Sequence, residues 1–156
     1  MITSSDLEDG KILTALIERI YHDNTGENLF GILRCLRDSI VWVPMVMKLS
    51  EEDVDAFLTA KKGDTVSAKH DIKMKPDILQ RGDVSYFPVF SQLEQIPDGY
   101  RSQFSFMQFP FIKCIDMMAK HPNVEQIVIN AFTYALMLTK THLGIVKKLP
   151  SELSDA

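Results

Sequence analysis

The chain has 156 residues, 46% of them hydrophobic and 24% charged, which fits one globular domain and excludes a disordered chain. A formal net charge of −4 sets a mildly acidic surface, and the basic pairs Lys61–Lys62, Lys69–Lys75 and Lys147–Lys148 lie in three separate segments, so no nucleic-acid partner is expected. Two cysteines without Cys-x-x-Cys spacing exclude a disulfide framework, no apolar stretch approaches the ~18 residues of a membrane span, and the acidic N-terminus does not resemble a signal peptide, so the expected localisation is cytoplasmic.

Ser5-Asp6-Leu7-Glu8 fits a capping box, and Leu13, Leu16, Ile17, Ile20 and Tyr21 recur at helical spacing, which predicts a first helix ending at His22. After the break at Asp23-Asn24-Thr25-Gly26, Leu29, Ile32, Leu33 and Leu36 form the stripe of a second helix. The two read as an α-helical hairpin, an accessory that packs on its own domain or on a second copy in a homodimer. Ile40 to Met47 is apolar on both faces and rich in β-branched residues, the pattern of a buried strand, with Pro44 marking an unpaired side or bulge. Ser50-Glu51-Glu52-Asp53 opens a short helix carrying Val54, Phe57 and Leu58, with Gly63 as its terminator.

A hairpin follows, with one arm from His70 to Leu79, a turn at Gln80-Arg81-Gly82-Asp83, and a return strand from Val84 to Phe90. Beyond a polar turn at Ile96-Pro97-Asp98-Gly99, a helix begins near Pro110, a favoured first-turn residue, and ends at His121-Pro122. Gln126–Asn130 and Tyr134–Leu138 read as a second hairpin whose two strands, apolar on both faces, are expected in the middle of the sheet. Thr141 is the expected cap of a last helix carrying Leu143, Val146 and Leu149.

Three landmarks stand in order along this path: Val41-Trp42-Val43-Pro44, Phe87-Pro88-Val89-Phe90-Ser91 and Val128-Ile129-Asn130-Ala131. In that combination the chain resembles the SseB-type N-terminal domain family, named for enhanced serine sensitivity, over about residues 28–150. Ser91-Gln92 stands where the family has Thr-Ser, and Ala131 stands where it has proline after the asparagine. The resemblance implies an α+β domain of the bacterial cytosol with no established catalytic activity.

No residue pattern contradicts that implication. His22, His70, His121 and His142 lie on four separate elements, without the spacing of a metal pair. Glu51, Glu52, Asp53 and Asp55 crowd a helix start, where acids complement the helix dipole. The seven glycines form no phosphate cradle, and no Gly-x-Ser-x-Gly elbow is present. Arg81-Gly82-Asp83 is explained by turn chemistry. Neither a metal nor a cofactor is expected.

Two groups remain as site candidates. Phe104, Phe106, Met107 and Phe109, beside Phe111, are more aromatic and thioether surface than one inward face needs, and they form the candidate interface for an unidentified protein partner. Ser91 and Asn130, at strand ends, are the candidate ligand-turn residues. The chain is read as one domain, residues 1–156, with a mixed, mainly antiparallel sheet of about five strands covered by helices. Its expected role is a non-catalytic interaction or regulatory module, and the alternative is an amino-acid-binding regulator of serine metabolism.

Overall fold

The computed structural model describes residues 3–48, 58 and 73–153. Thr3 opens a single turn, α1 (Ser4–Leu7), and its N–H donates to Asp6 Oδ2 at 2.8 Å. The helix then does not continue unbroken to His22. Gly10 interrupts it with a left-handed φ of +75°, and the chain restarts as α2 (Lys11–His22). Glycine takes that conformation without a Cβ penalty, so the break is specified by this residue. Thr25 caps α3 (Gly26–Asp38), its hydroxyl accepting from the Asn28 N–H at 3.1 Å.

Leu13, Ile17 and Ile20 of α2 and Ile32, Leu33 and Leu36 of α3 are buried in the main core. The helical hairpin, expected as an accessory or dimer element, is therefore one wall of the domain's own core.

β1 (Ile40–Lys48) alternates as a pleated strand must, with Val41, Val43 and Met45 in the core. It pairs antiparallel with β2 (Lys73–Pro76), placing Val46 opposite Lys75. The expected arm from His70 to Leu79 is divided here. Pro76 closes β2, the Asp77 N–H donates to the Pro44 carbonyl at 2.9 Å, and β3 (Leu79–Arg81) joins a different sheet. The start of that arm, residues 70–72, and the helix expected from Ser50 to Gly63 lie outside the described residues, apart from the single exposed position Leu58.

β3 pairs antiparallel with β4 (Val84–Val89) across the Gly82 turn. A 3-10 turn (Leu93–Gln95) and α4 (Asp98–Arg101) lead to β5 (Ser105–Pro110), which returns to pair antiparallel with β1. Pro110, the last residue of β5, is also the cap of α5 (Phe111–Ala119). β6 (Val124–Ile129) then lies parallel to β4, with Phe87 opposite Ile127 and Val89 opposite Ile129. β7 (Leu136–Thr139) pairs antiparallel with β6, and Thr139, not Thr141, starts α6 (Lys140–Lys148); its N–H donates to His142 Nδ1 at 3.2 Å.

The described strands number seven, in sheets ordered β2-β1-β5 and β3-β4-β6-β7. Trp42 and Phe90 exchange backbone hydrogen bonds at 2.8 and 2.9 Å and so weld the two sheets together. The α+β, mainly antiparallel reading holds, as two linked sheets instead of one of about five strands. The strand expected around Tyr134–Leu138 is not central. Among the described strands β7 is an edge, and its apolar outer residue Met137 is exposed.

α2, α3, α5 and α6 supply buried residues to the same core as Val41, Val43, Phe87, Val89, Ile127 and Ile129, so the helices cover one face of the sheets. Fully burying a side chain such as Phe87 or Phe111 stabilises by about 2–3 kcal/mol. The strand residues of opposite parity, among them Trp42, Tyr86, Val128 and Met137, point to the other face, which none of α2, α3, α5 and α6 covers and which the single turn α4 adjoins.

Candidate functional site

That face, helix-free in that none of the four long described helices covers it, carries a connected group of aromatic rings. Phe90, at the end of β4, is fully buried by its neighbours. Phe132, from the β6–β7 connection, stacks on it with centroids 6.1 Å apart and planes 8° from parallel. Tyr100 of α4 lies 5.0 Å from Phe132 and 4.7 Å from Phe104, and Phe106 of β5 meets Phe90 edge-on at 6.1 Å. Offset and edge-on pairs at such separations are favourable beyond the area they bury.

The Tyr100 hydroxyl donates to Asp77 Oδ2 at 2.6 Å, fixing α4 to the β2–β3 connection. Burial, and then the bond and negative charge of Asp77, push the phenol's pKa well above its ordinary value, so Tyr100 acts here as a hydrogen-bond donor.

Beside the rings, Leu79, Arg81, Tyr86, Val128, Phe132 and Met137 line a shallow groove of about 340 Å³ running from β3 across to β7. Among the described residues, Arg81 is the one charged member of its lining. Phe132 is 45% exposed and Met137 49% exposed, so apolar surface stays open at a place that no described helix except the single turn α4 adjoins. The rings are a rigid platform and the groove an apolar slot, an arrangement suited to contact with another molecule's apolar side chains.

The four residues expected as an interface are split by the pleat of β5. Phe106 faces the helix-free side with the aromatic cluster, and Phe104, just before the strand, joins it. Met107 and Phe109 are paired opposite Val43 and Val41, on the helix side; Phe109 packs against the core, while Met107 stays 40% exposed. Phe111 is fully buried. The sequence reading missed Phe132, Tyr86, Tyr100 and Met137. A large aromatic at a turn position, Phe132 in Ala131-Phe132-Thr133, was the signal available.

Ser91 and Asn130 are brought together, at the carboxyl ends of the parallel strands β4 and β6. The Ser91 N–H donates to Asn130 Oδ1 at 3.0 Å, and Asn130 Nδ2 donates to Ser91 Oγ at 2.9 Å. Thr14 Oγ1 of α2 lies 2.5 Å from Ser91 Oγ. Ser91 is 2% and Asn130 1% exposed. The carboxyl ends of parallel strands are where open α/β sheets usually receive ligands. Here the first turn of α2 fills that position, with Gly10 pressed against the Ser91 carbonyl.

This joint carries two of the three landmarks, Phe87–Ser91 and Val128–Ala131, and the strand weld carries the third through Trp42. A profile of the SseB protein N-terminal domain matches residues 13–143. The chain belongs to the SseB N-terminal domain family. No curated protein and no solved structure matches it.

The match begins inside α2, earlier than the landmarks alone indicate, so the helix that supplies Thr14 is part of the SseB domain proper. Among the described residues, no three His, Cys, Asp or Glu side chains stand close enough together to hold a metal, and no helix is long and apolar enough to cross a membrane. In this SseB domain Cys114 is fully buried, and burial pushes its thiol up to about 12. Burial likewise raises Cys35, which accompanies Ser39 at the end of α3. Both cysteines are therefore poor thiolates.

Proposed function

We propose that this SseB domain is a non-catalytic protein-interaction module of the bacterial cytosol and that its helix-free face is the binding surface. The observation that carries the reading is Phe132, a large aromatic held half-exposed by stacking on the buried Phe90, beside an apolar groove that, among the described residues, no helix lines. Rigid aromatics next to apolar slots are the usual energetic centres of protein interfaces.

The amino-acid-binding alternative relied on Ser91 and Asn130. Their hydrogen-bonding groups are engaged with each other and with Thr14, which weighs against a ligand at those turns.

The test is affinity capture from the native host's cytosol, comparing the tagged wild type with Phe132→Ser. The substitution removes a half-exposed ring and its contacts to Phe90 and Tyr100, so the variant should keep the wild-type circular dichroism and melt a few degrees lower, still folded at the temperature of the capture. Loss of an interface anchor typically costs 2 kcal/mol or more, about thirtyfold in affinity. A stoichiometric protein retained by the wild type and lost from the variant is the expected result. Equal retention by both would reject this face.

A further inference from the structure

We propose that β5 is a self-association edge: two copies of the domain pair their β5 strands antiparallel across a two-fold axis, joining the β2-β1-β5 sheets into one. The inference is independent of the partner proposed for the helix-free face.

An unpaired sheet edge is a template for another strand, and proteins that must avoid pairing guard it with charge, proline, a bulge or brevity. The edges of this fold differ in that respect. β2 carries Lys75 and ends in Pro76. β3 has three residues and ends in Arg81. At β7, four residues long, the Ala135 carbonyl just before the strand is already bonded by the Tyr21 hydroxyl from α2.

β5 has six residues, Ser105-Phe106-Met107-Gln108-Phe109-Pro110, with no charge, no bulge in its register with β1, and proline only at its last position. It pairs with β1 on one side and with no other strand among the described residues. Apolar side chains are left partly open on both of its faces, Phe106 on one and Met107 and Phe109 on the other. An added strand would cover both layers at once.

A second copy is the occupant that fits. The chain carries a net charge of −4, so most of one molecule's surface repels most of another's, but two β5 strands meet without bringing a single charge into contact. Their apolar residues are self-complementary, as a two-fold interface requires. Pairing also has a fixed parity. Facing residues must share a sheet face, so the axis passes through a residue and not between two, which places Met107 or Gln108 on it.

Sedimentation equilibrium of the wild type, Met107→Lys and Met137→Lys decides the matter. Met107 is 40% exposed and Met137 49% exposed, so each lysine can extend into water and circular dichroism should stay unchanged. The expected result is a concentration-dependent monomer–dimer equilibrium for the wild type and for Met137→Lys, and at least tenfold weaker association for Met107→Lys, whose lysines would face one another with the axis at Met107, or the second copy's Phe109 with the axis at Gln108. Should Met107→Lys fail to fold, Gln108→Lys, at an exposed position on the same strand, serves in its place. A wild type that stays monomeric over the accessible range, or a dimer unweakened by these β5 lysines, would overturn the proposal.

Discussion

Gly10→Ala is expected to destabilise the domain by about 3–5 kcal/mol, from left-handed strain plus overpacking, a large part of the 5–15 kcal/mol typical of such domains. A Cβ built at Gly10 stands 1.9 Å from the Ser91 carbonyl oxygen, and φ is +75°. Both the clash and the strain fall on the contact that seats α2 on the strand ends. The clashing atom is backbone, so no rotamer change relieves it. Gly31→Ala is the control. Gly31 lies in the interior of α3 with no neighbour within 4 Å of its added Cβ, and inside a helix alanine is favoured by about 1 kcal/mol. Urea melts should therefore move in opposite directions for the two variants.

Asn130→Ala should cost about 3–4 kcal/mol. The substitution leaves the buried Ser91 N–H without its acceptor, at about 1–3 kcal/mol, and takes from Ser91 Oγ one partner while Thr14 Oγ1 remains. Asn130 also holds a φ of +56°, a region where asparagine is tolerated and alanine is not. Asn130→Gly separates the two contributions, because it relieves the backbone but still empties the joint. It should be more stable than Asn130→Ala by about 1–2 kcal/mol and still well below the wild type. Equal midpoints for the two variants would show that the backbone conformation contributes nothing.

These two positions also show what was legible in the sequence. The strand landmarks around Pro44, Phe90 and Asn130 were readable because each sits at a strand end with an apolar run before it, and their order identified the family. The amphipathic stripes of α2, α3 and α5 were readable from spacing alone. The break at Gly10 was not, because a lone glycine inside an apolar periodicity does not declare its φ; the reason for it is a carbonyl 81 residues away at Ser91.

The edge position of β7 was hidden for a similar reason. Leu136-Met137-Leu138 looks like a buried strand, yet Leu138 is buried and Met137 exposed, because one of its faces is the helix-free face. An apolar residue meant for a partner has the same chemistry as one meant for the core. The division of the aromatic segment follows the same logic. The alternation of Phe104 and Phe106 was visible, but their companions Phe90, Tyr100 and Phe132 come from three other segments, and only the fold assembles them. For Ser91 and Asn130, polar residues at strand ends read equally as ligand groups or as a joint. Their mutual hydrogen bonds and burial place them in the joint.

The measurement closest to the central claim is amide hydrogen exchange of the domain, alone and saturated with the protein that capture retains. Binding at the helix-free face predicts new protection in β3, in the 130–135 connection and in β7, the segments that frame Phe132 and the groove. Protection confined to α3, α5 or α6, on the helix-covered side, would contradict it.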